Sequence, residues 1–144
     1  MTYESTQQVD SKECPGVRFT AYRMSFGRRL ELTRQVRELL GRLEFARAGP
    51  GGPADDAEAA LLAGEIDREY VRWGLASIEG LDIDGRPATP EDLIEKGPEK
   101  LVAEVLSAIR REAGLNEEER KNCESLSTSS EGEGPSGNAT NAGV

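Results

Sequence analysis

The chain contains no histidine among its 144 residues. That removes histidine as a general base and excludes every Cys–His metal site. Cysteine is scarce too: Cys14 and Cys123 stand alone, each beside a polar terminal segment. Two isolated cysteines read as free thiols in a reducing compartment, with a bridge joining the two flanks as the alternative. Aromatic residues make up 5% of the chain, and Trp73 is the one tryptophan. No apolar run reaches the ~20 residues of a membrane-spanning helix. The N-terminus, with Glu4 and Asp10, lacks a signal-peptide pattern. The expected location is the cytoplasm. Positive charge is also short, with 18 Lys and Arg against 27 Asp and Glu, a net charge of −9. An acidic surface disfavours nonspecific binding to nucleic acid and to anionic membranes. Residues 23–29, with Arg23, Arg28 and Arg29, are the basic exception.

Composition also sets the expected boundaries. Residues 123–144 are mostly Ser, Gly, Glu, Asn and Thr, with Leu126 the one large apolar residue before Val144. Such a segment buries too little apolar surface to offset its ordering entropy, and reads as a disordered acidic tail. Residues 1–14 read as a loose polar lead-in. Residues 15–122 suffice for one modest core.

Within that span the periodicities predict an α+β domain, predominantly α-helical. Val17, Phe19 and Ala21 alternate with polar positions, the pattern of a half-buried strand. Ser25 is placed to cap a helix whose stripe is Leu32, Val36, Leu39 and Leu43, widened by Leu40 and Phe45. Its arginine-rich side reads as a solvated face with Glu–Arg pairs, or as a docking site for an acidic partner. Residues 49–53 break this helix and form the loop of an antiparallel helical hairpin. They lack the lysine and hydroxyl that would make a glycine-rich phosphate loop.

The second helix carries Ala59, Leu62, Ile66, Tyr70 and Trp73 along one stripe and stops at Gly74, expected in the left-handed conformation. The hairpin is expected to form much of the core, with Trp73 packed inside it. Tyr70 and Trp73 as interface anchors are the alternative. An extended stretch follows to Asp84-Gly85, with a bulge expected at Glu79-Gly80 and pairing to the first strand in a two-stranded sheet. Thr89-Pro90-Glu91-Asp92 starts a short helix. A last helix buries Leu101, Val102, Val105, Leu106 and Ile109 and stops at Gly114, and Asn116 caps a frayed acidic turn.

No residues assemble into a catalytic, cofactor or metal site. Asp82 and Asp84 precede Gly85, but the calcium-loop spacing and its distal glutamate are missing. The serines of residues 125–130 form a low-complexity run. The chain reads as a non-enzyme.

A resemblance adds to this reading. The segments Tyr22-Arg23-Met24-Ser25-Phe26-Gly27-Arg28-Arg29-Leu30-Glu31-Leu32, Ala60-Leu61-Leu62-Ala63-Gly64-Glu65-Ile66-Asp67, Trp73-Gly74-Leu75 and Ile83-Asp84-Gly85-Arg86-Pro87-Ala88-Thr89-Pro90-Glu91 resemble the tail assembly chaperones of long-tailed phages and prophages. The resemblance spans residues 17–122 and its motifs are structural. It implies a cytosolic, helix-rich protein that binds the long tape-measure protein and keeps its apolar helices soluble until the tail tube polymerises. It also implies absence from the finished virion. In some members a frameshifted longer form exists, and the polar segment after Asn122 would sit where that extension joins. The alternatives are a structural tail or head–tail component, which self-associates into rings, and an unrelated bacterial adaptor. Self-association through a strand edge or helical stripe stays open in each case.

Overall fold

The alternation at Val17, Phe19 and Ala21 becomes a strand with Val17 just ahead of it, and all three side chains are buried. The computed structural model describes residues 1–114, which form one compact unit. The order is β1 Thr6–Asp10, β2 Arg18–Tyr22, α1 Phe26–Arg47, α2 Pro53–Gly74, β3 Leu75–Glu79, β4 Asp82–Ile83, β5 Arg86–Pro87, α3 Pro90–Lys96 and α4 Glu99–Glu112. The architecture is α+β and helix-dominated. The expected tail at 123–144, the Asn116 cap and the state of Cys123 lie outside the described residues. Cys14 is a free, half-buried thiol packed against the core.

The sheet has three strands in the order β1-β2-β3, both pairings antiparallel, where two were expected. The lead-in read as loose contains β1, in which Val9 pairs with Phe19 and packs on the core. One apolar residue in five is a faint signal, but an edge strand gains its stability from backbone pairing as much as from burial. The bulge also lies elsewhere. Thr20 pairs with Ser77 and Ala21 with Leu75, so Ala76 is the extra residue. Gly80 instead ends β3 with φ +79, and a Cβ there would press on the Gly16 carbonyl oxygen. Asp84 and Gly85 both take positive φ and join β4 to β5, the two-residue hairpin turn that Asp-Gly favours.

The caps follow local chemistry. Ser25 Oγ accepts a hydrogen bond from the Arg28 amide. Thr89 and Asp92 form a reciprocal capping box ahead of α3. Gly114 closes α4 with φ +72. Gly74 differs from expectation. It is the last residue of α2 and lacks a positive φ. A Cβ there would meet Ile109 at 2.6–2.8 Å. Glycine is required because α4 passes so close, not because the chain turns left-handed.

Helices α1 and α2 form the antiparallel hairpin: Arg28 at the start of α1 reaches Trp73 at the end of α2, and Arg42 reaches Glu58 at the start of α2. The hairpin holds only the smaller apolar cluster, Leu43, Leu62 and Ile66. The main core lies between the sheet and the C-terminal helices, built on Phe19, Val71, Leu93, Leu101, Val105 and Ile109, each at most 2% exposed. Burying each such side chain stabilises the fold by roughly 1.5–3 kcal/mol. The far end of the hairpin therefore stands as an arm beyond this core.

Candidate protein-interaction surface

Three residues separate the end of β2 from the start of α1, which sets Arg28 in the first turn of the helix between Tyr22 and Trp73. The guanidinium carbon lies 4.0 Å from the Tyr22 ring centre and 3.8 Å from that of Trp73. Its Nη2 donates a 2.6 Å hydrogen bond to the Trp73 carbonyl. Its Nε is buried without a hydrogen-bond partner among the described residues. The faces of two electron-rich rings take the place of a carboxylate. Trp73 is accordingly half-buried under Arg28 rather than packed in the core. Val71 fills the core instead, because it lies about 200° round the helix from Trp73.

Arg29, though exposed, also bonds within the fold, donating to the Ala113 carbonyl at the end of α4 across 2.8 Å. Two arginines of the basic segment thus hold the fold together. Further along α1, Arg34 pairs with Glu31 at 3.2 Å and Arg42 with Glu58 at 3.5 Å, the Glu–Arg pairs expected of a solvated face. Arg37 enters no ion pair among the described residues.

The side of α1 turned away from α2 carries large apolar groups. Phe26 is 81% exposed, Leu30 52% and Phe45 84%. With Arg34, Arg37 and Gly41 they form one outward stripe, opposite the buried Leu32, Val36 and Leu43. Leu40, 42% exposed, lies at its margin. Leu40 and Phe45 therefore do not widen the buried stripe. Phe45 points away from α2, which covers only one side of α1. A hollow of about 760 Å³ adjoins Phe45 at the end of the hairpin, walled by Arg42, Ala46 and Glu58. A second hollow of about 450 Å³ lies between α2, α3 and α4, lined by Leu61, Gly64, Ile94 and Val102.

Among the described residues the closest approach of a hydroxyl to a carboxylate is that of Ser11 to Glu104, a pair that sequence reasoning missed. Ser11 Oγ donates to Glu104 Oε2 at 2.5 Å and accepts from the Cys14 amide at 2.9 Å. The Lys12 amide donates to Glu104 Oε1 at 2.7 Å. Burial alone would push the Glu104 carboxyl up, but the Ser11 hydroxyl and the Lys12 and Glu13 amides outweigh it, and its pKa lies below the usual range. A carboxylate held ionised by amide donors is a poor proton acceptor. The pair pins the segment before β2 onto α4. Asp84, considered for calcium, pairs with Lys96 at 3.0 Å. Among the described residues no cluster of three or more Cys, Asp and Glu is placed to hold a metal ion, and no helix is long and apolar enough to cross a membrane. Comparison with protein-family models, curated proteins and solved structures yields no match to this chain.

Proposed function

We propose that this chain is a non-enzymatic assembly factor of the bacterial cytoplasm that binds a long helical client, as tail assembly chaperones bind the tape-measure protein. The observation that supports this reading is helix α1, which presents Phe26, Leu30 and Phe45 to solvent while its opposite side packs on α2. Large apolar groups at helical spacing suit the apolar face of another helix. The net charge of −9 would keep such a complex in solution. The test is affinity capture of the tagged full chain from cells expressing its native gene cluster, followed by mass spectrometry. Recovery of one very long helical protein, with no copy of this chain in purified particles, is the expected outcome. Recovery of only itself, a tube protein or a host enzyme would overturn the reading in favour of a structural component or an adaptor.

A further inference from the structure

The outward stripe of α1 runs Phe26, Leu30, Arg34, Arg37, Gly41, Phe45, at intervals of four, four, three, four and four. Its apolar groups stand at the two ends and its cations in the middle. The two phenylalanines are separated by about 28 Å along the helix axis, the length of a partner helix of about 20 residues. Arg34 keeps 72% of its side chain exposed, and Arg37 is exposed without an ion pair among the described residues. A side chain added at Gly41 would meet nothing within 4 Å, so the stripe is open at that point. Helix α1 as a whole bears six arginines against three glutamates, in a chain whose net charge is −9.

We infer that this stripe docks an amphipathic helix of the client whose apolar residues meet Phe26, Leu30 and Phe45 and whose carboxylates meet Arg34 and Arg37. The inference rests on the assembly-factor reading and names the surface and the chemistry of its client. Charge decides between this occupant and a second copy of the chain. The intervals are symmetric, so two copies of α1 packed antiparallel about a two-fold axis would bring Phe26 onto the second copy's Phe45. The same register sets Arg34 against the second copy's Arg37, twice, and gathers four guanidinium groups at the centre, the two of Arg34 each sharing Glu31 and the two of Arg37 without an ion pair among the described residues. Like charges so placed repel. A foreign helix with glutamate or aspartate at its middle turns that repulsion into charge-assisted hydrogen bonds while covering the same apolar ends.

The test uses the full chain and a synthetic amphipathic peptide of about 20 residues, with leucines at both ends of its apolar stripe and glutamates at its centre. A second peptide has lysines in place of the glutamates. Binding is read by fluorescence anisotropy, and folding of each variant by circular dichroism. The glutamate peptide is expected to bind at least about tenfold more tightly than the lysine peptide. R34E/R37E is expected to reverse that preference, and F26S/F45S to weaken the glutamate peptide by about tenfold or more. Equal binding of the two peptides, or an unchanged preference in R34E/R37E, overturns the inference. So does a dimer of the wild-type chain that F26S/F45S dissociates. Affinity capture with R34E/R37E separates this inference from the broader reading. A long client recovered equally by wild type and variant removes the surface and leaves the assembly role. A wild-type chain that binds the glutamate peptide but captures no long client leaves the surface and removes the role.

Discussion

Arg28 and Trp73 are joined twice, by a guanidinium 3.8 Å from the indole centre and by a 2.6 Å hydrogen bond to the Trp73 carbonyl. The contact ties the first turn of α1 to the last turn of α2, and Tyr22 on the other side of the guanidinium adds the end of β2.

Arg28→Ala should therefore destabilise the chain by about 2–4 kcal/mol, combining a partly desolvated cation–π contact with a hydrogen bond from a charged group. Arg28→Lys should recover less than half of this, because an ammonium cannot stack as a plane between two rings. Urea titration measures both. Trp73 is the one tryptophan, so its emission should shift to longer wavelength in folded Arg28→Ala. Unaltered emission and midpoint would show the stack to be unimportant.

Gly74→Ala sets two effects against each other. Alanine is the better helix former by about 1 kcal/mol. The added methyl, however, would stand 2.6 Å from Ile109 Cγ2, on a side chain only 2% exposed. Overpacking should win, with a net loss of about 1–3 kcal/mol. Combining it with Ile109→Val should cost less than the sum of the two single changes. A more stable Gly74→Ala protein would contradict the close approach of α2 and α4.

Glu104 makes the stability of the fold depend on pH. Its folded pKa is lowered, burial being outweighed by donors from Ser11, Lys12 and Glu13, whereas unfolded glutamate titrates at about 4.3. The stabilisation is present above that value and is lost as pH falls through it toward the lower folded pKa. Glu104→Gln should lower the urea midpoint at neutral pH and narrow its difference from wild type below pH of about 4. A constant difference across that range would mean that the carboxylate charge contributes nothing.

Removing residues 1–10 tests the unexpected strand. Without β1, the β2 amides that donate across that edge lose their partners, and Val9 no longer covers Phe19. Hydrogen exchange in β2 should accelerate, while the α1–α2 arm keeps its rate. Unchanged exchange in β2 would show that β1 does not pair in solution.

Much of this fold is legible in the sequence, because local chemistry decides it. The Ser25 cap, the Thr89 capping box, the Asp84-Gly85 turn and the buried alternation at Val17, Phe19 and Ala21 each need only neighbouring residues. Features set by a distant neighbour are not legible. A glycine at a helix end looks the same whether it turns left-handed or yields space to Ile109. Trp73 falls on the same helical stripe as Leu62 and Ile66, yet it meets Arg28, a contact that only tertiary structure brings about. Phe45 resembles a core residue until α2 is seen to cover only one side of α1. The exposed stripe thus came into view only with the structure.

The small cluster of Leu43, Leu62 and Ile66 bears on how stability is distributed along the molecule. Sub-global opening costs least where the fewest apolar side chains are buried. The outer half of the arm can therefore open while the sheet and α4 stay intact, and its amides should exchange well before those of β2. The chain would then need only a local melting event, not loss of its fold, to change what lies against its first helix.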